Sequence, residues 1–151
     1  MSLIKCAIAL LILNGLLSSV GQAFSISRTQ SLSFGSISAT SGGTVSVGSN
    51  GTRSATGGTV LISSSGGTAS NFSVTCDSNT TYAISLPSNG TVTLTSGGNT
   101  MAVNNFVSSP SGSGACSTAP TNLSVGATLT VGTNQAAGSY SGSYSVTVIS
   151  N

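Results

Sequence analysis

Apolar residues recur at every second position in short runs along the chain, the period of a strand with one face turned inward, and no stretch carries the 3.6-residue stripe of an amphipathic helix. The clearest runs are Leu32 and Phe34, followed by Ile37; Val45 and Val47; Val60 and Ile62; Phe72, Val74 and Cys76; Tyr82, Ile84 and Leu86; Val92 and Leu94; and Met101 and Val103. Beyond a Ser-, Pro- and Gly-rich stretch around Pro110 and Pro120 come Leu123 and Val125, then Leu129 and Val131, and finally Tyr140, Gly142, Tyr144, Val146 and Val148. Between these runs lie Gly42-Gly43, Asn50-Gly51, Gly57-Gly58, Gly66-Gly67, Asn89-Gly90, Gly97-Gly98 and Gly126, residues that accept the positive φ of tight hairpin turns. Eight or nine short strands punctuated in this way predict an all-β, antiparallel sandwich or barrel around one core. A β-solenoid is excluded because the Gly-Gly-Thr triplets at 42, 57 and 66 and the Asn-Gly-Thr at 89 keep no fixed period. With four Phe, three Tyr and no Trp, the chain also lacks the aromatic girdles of an outer-membrane barrel.

The first 23 residues break the pattern. One positive charge at Lys5 precedes an apolar stretch from Cys6 to Leu17, and Gly21-Gln22-Ala23 places small residues where a signal peptidase cuts, so residues 1–23 read as a secretory signal peptide. The apolar stretch is shorter than the roughly 20 residues a membrane span needs and contains Asn14, so a spanning anchor is not expected. Cleavage after Ala23 would leave residues 24–151 as a single β-sandwich domain.

Charge narrows the chemistry further. Lys5, Arg28, Arg53 and Asp77 are the only ionised side chains in 151 residues, and there is no His or Glu. Proton-transfer catalysis requires a titratable group near working pH, and a nucleophilic hydroxyl requires a base beside it, so no catalytic residue and no enzyme activity is expected. Two Arg cannot form a phosphate-neutralising patch, which removes nucleic acid as a partner. A single carboxylate and no His make a metal site or cofactor equally unexpected. Ser, Thr, Gly and Asn fill 84 positions, yet the mean hydropathy is +0.37, well above that of a disordered polar chain. Asp77 is expected to cap a turn, and Arg28 and Arg53 to occupy solvated faces or edges of strands.

Cys76 and Cys116 are the two cysteines that survive cleavage, and in an oxidising compartment their even count predicts a disulfide. It would close a loop of about 40 residues, worth on the order of 4 kcal/mol in the chain-entropy account. Tyr140 and Tyr144 share the parity of Val146 and Val148, so the core claims them ahead of a sugar-stacking role. Asn104, Asn105 and Phe106 form a second candidate cluster, of the kind a glycan-binding loop would use.

Three stretches resemble a known family. Ile26 to Ile37 (ISRTQSLSFGSI) and Leu94 to Phe106 (LTSGGNTMAVNNF) look like a widespread bacterial family of secreted domains of unknown function. The ending Gly138 to Val148 (GSYSGSYSVTV) is similar to the same family and to the closing strand of spore-coat-protein-U-like and chaperone-usher pilin subunits. The resemblance implies an immunoglobulin-like sandwich exported to the periplasm, cell surface or fimbrium of a Gram-negative bacterium. Its expected partners are copies of itself or related subunits, with a periplasmic chaperone and usher, and its expected role is a structural, fimbria-like subunit or an adhesin. In such pilins the sandwich lacks one strand and a neighbour's extension fills the groove. On that reading Phe24, Ile26, Gly138, Tyr140, Tyr144, Val146 and Val148 are the candidate assembly or strand-edge residues. A donor strand needs about five alternating residues, whereas Phe24-Ser-Ile26-Ser-Arg28 offers two apolar side chains.

Overall fold

The computed structural model describes residues 3–11, 24–62 and 66–151. The predicted cleavage site at Gly21-Gln22-Ala23 lies outside the described residues. The fold is all-β, as expected, and no helix occurs among the described residues. Twelve strands are present there: β1 Leu3–Leu11, β2 Ser25–Gln30, β3 Ser33–Val47, β4 Arg53–Leu61, β5 Ser70–Thr75, β6 Thr81–Ser85, β7 Val92–Ser96, β8 Asn99–Ser109, β9 Ser113–Ala115, β10 Thr121–Val131, β11 Gly138–Ser145 and β12 Thr147–Ser150.

Nine of them form one curled sheet in the order β2-β5-β10-β8-β7-β11-β1-β3-β4, and β12-β6-β9 form a second. The larger sheet curls because β3 changes partner along its length. Its first half, Ser33 to Ser38, pairs with β1, and its second half, Gly43 to Val47, pairs with Val131 to Ala127 of β10. A closed circuit results, running β10-β8-β7-β11-β1-β3 and back to β10. The ladders described are antiparallel except that between β1 and β11, which is parallel.

The alternating runs supply the core. Leu32, Phe34, Ile37, Val45, Val47, Phe72, Val74, Tyr82, Leu94, Met101, Val103, Leu123, Val125, Leu129, Tyr140 and Tyr144 are all buried, and burial of each large apolar side chain contributes roughly 1.5–3 kcal/mol before entropy is counted. Tyr140 Oη donates to the Ala136 carbonyl at 2.8 Å and accepts from Gln135 Nε2 at 2.8 Å. That return bond from a tyrosine to the backbone just upstream resembles the tyrosine corner of immunoglobulin-like sandwiches.

Several local expectations are corrected. Gly42-Gly43 and Gly57-Gly58 are not turns: they lie inside β3 and β4 and face one another, with Gly43 opposite Gly57 and Gly58 opposite Ser41. A Cβ on Gly43 would collide with the Thr56 carbonyl and one on Gly58 with the Ser41 carbonyl, so glycine here allows β4 to approach the bulged β3 closely. β4 keeps one parity throughout, with Ala55, Thr59 and Leu61 turned inward, so Thr59 is buried and Val60 is 60% exposed where the alternation placed it inside. Gly126 likewise sits within β10, against the Val47 carbonyl and beside a bulge in the facing β8, joining two runs read as separate strands. By contrast Asn50-Gly51, Asn89-Gly90 and Gly97-Gly98 do form turns, with positive φ at Gly51, Gly90 and both Gly97 and Gly98. The final run from Tyr140 to Val148 is divided, since β11 ends at Ser145 and Val148 belongs to β12 in the other sheet.

Arg28 is exposed on β2, but Arg53 is not a solvated edge charge. Its guanidinium donates to the carbonyls of Phe34 and Ile62, both at 2.9 Å, and to that of Ser36 at 3.4 Å. It thereby serves the side of β3 that β4 is too short to cover. At Asp77 the turn is closed by the Thr80 hydroxyl, which donates to the Asp77 carbonyl at 2.9 Å.

The Cys76–Cys116 disulfide is present, 40 residues apart in sequence. It ties the end of β5 to the segment after β9, and the Cys76 amide donates to the Ser117 carbonyl beside it. Substitution of both, Cys76→Ser with Cys116→Ser, is expected to lower the unfolding free energy by about 2–4 kcal/mol, read as a lower urea midpoint. An unchanged midpoint would remove the bond from the protein's stability.

Candidate functional site

The feature most open to a functional reading is the seat of β1 between β3 and β11. From Ile4 to Leu11 the segment runs parallel to Gly138–Ser145, and from Leu3 to Ala7 it runs antiparallel to Ser38–Ser33. Among the described residues no other ladder joins β3 to β11, so β1 alone completes the circuit there. The groove it occupies is formed by sequence on both walls. On β11, Gly138-Ser-Tyr140-Ser-Gly142-Ser-Tyr144-Ser alternates, with Tyr140 and Tyr144 buried. On β3, Phe34 and Ile37 are buried and Gly35 adopts a φ of 71° opposite Cys6.

Register fixes which positions of an occupant matter. Ile4, Cys6, Ile8 and Leu10 stand opposite Gly138, Tyr140, Gly142 and Tyr144. Directly opposed residues in a ladder share a face, so these four register positions belong to the face on which the two tyrosines are buried. Gly142 is pressed toward β7, where a Cβ would meet the Thr93 carbonyl, and the ladder between β11 and β7 is reduced to the pair Ser141 and Thr95. With so little pairing on its β7 side, β11 makes most of its described ladder contacts with β1.

Tyr144 carries the main electrostatic feature. Its ring lies 5.1 Å from that of Phe106 at a tilt of 38°, while its buried hydroxyl has no hydrogen-bond partner among the described residues. Burial raises the phenol's pKa above its ordinary value near 10; the nearby Ser70 hydroxyl and the Arg28 charge act in the opposite direction. Ser70 uses its own proton on the Gln30 carbonyl at 2.9 Å.

The other candidates are dispersed. Phe24 and Ile26 pack partly against the core from β2, the edge strand on β5, several strands from the groove. Val146 is buried just past β11, and Val148 pairs with Ile84 in the smaller sheet. Gly138, Tyr140 and Tyr144 are the candidates that meet on one wall of the groove. Asn104 and Asn105 hold the Asn89-Gly90 turn: Asn104 Oδ1 accepts from the Gly90 amide, and Asn89 Oδ1 accepts from the Asn105 amide, both at 2.8 Å. Phe106, the third residue of the predicted glycan cluster, contacts Tyr144. Among the described residues no group of His, Cys, Asp and Glu could hold a metal ion, and no helix is long and apolar enough to cross a membrane.

Fold and groove together define a class: a disulfide-stapled, all-β domain whose sheet is completed by a segment that precedes it. The chain belongs to the family described as Domain of unknown function (DUF4402), which matches residues 24–149. No curated protein and no solved structure matches it.

Tyr144→Phe is expected to leave stability at pH 7 unchanged or raise it by up to about 1 kcal/mol, because the hydroxyl removed is buried and unpartnered. A raised pKa in the folded state favours the neutral phenol, so the wild-type protein keeps full stability below about pH 10 and loses it as pH rises from there through the folded-state value. The variant is expected to show a shallower loss above pH 10 in urea melts; a loss of stability at pH 7 would mean that the hydroxyl has a partner.

Proposed function

We propose that this domain is an exported, non-enzymatic structural subunit that assembles by accepting an extended strand between β3 and β11. The observation that carries the reading is the position of Leu3–Leu11 as a complete strand in that gap. The same segment overlaps the apolar stretch of the predicted leader, and the family match begins at Phe24, beyond it. Cleavage after Ala23 would therefore take β1 away and leave two facing sheet edges beside buried Tyr140, Tyr144 and Ile37. Unmade backbone hydrogen bonds next to a core are costly, whereas each one restored contributes about 0.5–1.5 kcal/mol.

Such a gap is suited to strand addition, in which main-chain bonds give affinity and alternate side chains give specificity. The occupant runs parallel to β11 and presents apolar residues opposite Gly138, Tyr140, Gly142 and Tyr144. On this reading the natural occupant is a strand from a second polypeptide, a related subunit or a periplasmic chaperone, and the place of action is the periplasm, cell surface or fimbrium. The near absence of charge supports close packing of copies, since little repulsion separates them.

The test uses the chain from Phe24 to Asn151 and a peptide of residues 3–11. The peptide is expected to bind with saturation and, at about a hundredfold excess over Kd, to stabilise the domain by roughly 2.7 kcal/mol, seen as a higher melting temperature. The peptide with Ile4→Asp and Ile8→Asp should fail to do so. A domain that melts identically with and without the first peptide would overturn the proposal.

A further inference from the structure

A second concavity, away from the groove, has a different chemistry. A cleft of about 340 Å³ opens between the end of β2, the Ser49–Gly51 turn and the starts of β5 and β10. Its working groups are the side chains of Gln30, Asn50, Thr68, Asn71, Asn122 and Ser124, all of them uncharged amides or hydroxyls.

Asn71 is the hub. Its Oδ1 accepts from Ser124 Oγ at 2.7 Å and from Asn122 Nδ2 at 3.4 Å, while its Nδ2 donates to Gln30 Oε1 at 2.7 Å. Asn122 Nδ2 also donates to Ser124 Oγ at 2.7 Å. These bonds join three strands and hold the amide planes in fixed orientations. They also leave valences unused: Gln30 Nε2 and Asn122 Oδ1 make no hydrogen bond among the described residues, and both residues are exposed. Donor and acceptor are thus presented from one hydrogen-bonded network, which lessens the entropy lost in ordering them.

Chemistry selects the ligand. Among the described residues no ionised group lines the cleft, so a charged ligand would lose hydration and gain no ion pair. No aromatic ring lines it either, which removes the stacking that a nucleobase requires. A neutral ligand that binds through many hydroxyls satisfies what remains, because each hydroxyl both donates and accepts. The volume, at the low end for ligand pockets, admits one or two sugar rings. We propose that this cleft is a binding site for a neutral saccharide, with Asn71 as the residue that positions Gln30 and Asn122 for it. Binding through neutral hydrogen bonds alone is weak, with Kd on the order of millimolar, and gains its strength from many copies displayed together.

The experiment titrates the ¹⁵N-labelled protein with maltose, lactose and trehalose, following the side-chain amide signals of Gln30, Asn71 and Asn122. At least one sugar is expected to give saturable shifts confined to the cleft, unchanged between low salt and 0.5 M sodium chloride because no ion pair is involved. Asn71→Ala should weaken binding at least tenfold, and Asn122→Ala, at an exposed position, gives the same direction should the first variant fold poorly. Asn99→Ala, on β8 outside the cleft, should bind as wild type. The absence of saturable shifts with all three sugars, shifts that persist in both cleft variants, or tighter binding of glucuronate than of the neutral sugars would overturn the proposal.

Discussion

The molecule is organised by a requirement of the backbone: every amide and carbonyl beside the core needs a partner, and strand β3 meets that requirement with a different neighbour on each side of each half. Its second half is held by β4 and β10. On its first half, the outward carbonyls of Phe34 and Ser36 are taken by the Arg53 guanidinium and the Ile62 amide. The opposite side of that half is taken by β1. Because β3 switches partners, it closes the circuit of strands, and because one of those partners lies ahead of the family domain, the closure depends on a segment from outside it.

The core was legible in the sequence wherever a strand kept one parity from end to end. Phe72, Val74 and Cys76 follow the two-residue period through β5, whose burial alternates without a break, and the same holds for Val92 and Leu94 in β7. Legibility failed where both faces of a strand are covered or a glycine pair lies inside one. In β10 five consecutive residues from Leu123 to Ala127 are buried, a pattern that alternation cannot encode, because the opposite face is covered as well, Ser124 by Asn71 and Gly126 by the Val47 carbonyl. In β4 the glycine pair lies within the strand, whose inward positions are Ala55, Thr59 and Leu61, and Val60 is turned outward. A glycine pair in a sequence signals either a turn or a close approach of two backbones, and only the partner strand distinguishes them.

The walls of the groove were legible and its occupant was not. Gly138-Ser-Tyr140-Ser-Gly142-Ser-Tyr144 marks β11 as an alternating strand, and Phe34 and Ile37 mark β3. The occupant was hidden because Leu3 to Leu11 is almost continuously apolar, a pattern shared by a leader and by a strand buried on both faces. The cleft around Asn71 was invisible, since Gln30, Asn71 and Asn122 are scattered in the sequence and meet only through the register of β2, β5 and β10. Asn104 and Asn105 are adjacent in the sequence, and their side-chain oxygens accept hydrogen bonds from the Asn89-Gly90 turn.

The distribution of charge along the strand edges separates permanent edges from the pair that β1 covers. Sheets guard exposed edges with charged side chains and bulges. The outermost strand β2 carries exposed Arg28 together with a bulge between Arg28 and Gln30. At the other end β4 faces two bulges in β3 and ends near the Arg53 network. In contrast, β11 has no ionised residue, no proline and an uninterrupted register with β1 over Gly138–Ser145, and Ser33 to Ser38 of β3, although bulged opposite Cys6 and Ala7, has no ionised residue either. A chain with so few ionised groups places one on a lasting edge and uses another to cap carbonyls, and it leaves bare the two edges that flank the groove. That asymmetry is what strand acceptance requires: an edge that repelled every added strand would also repel the one that completes the sheet.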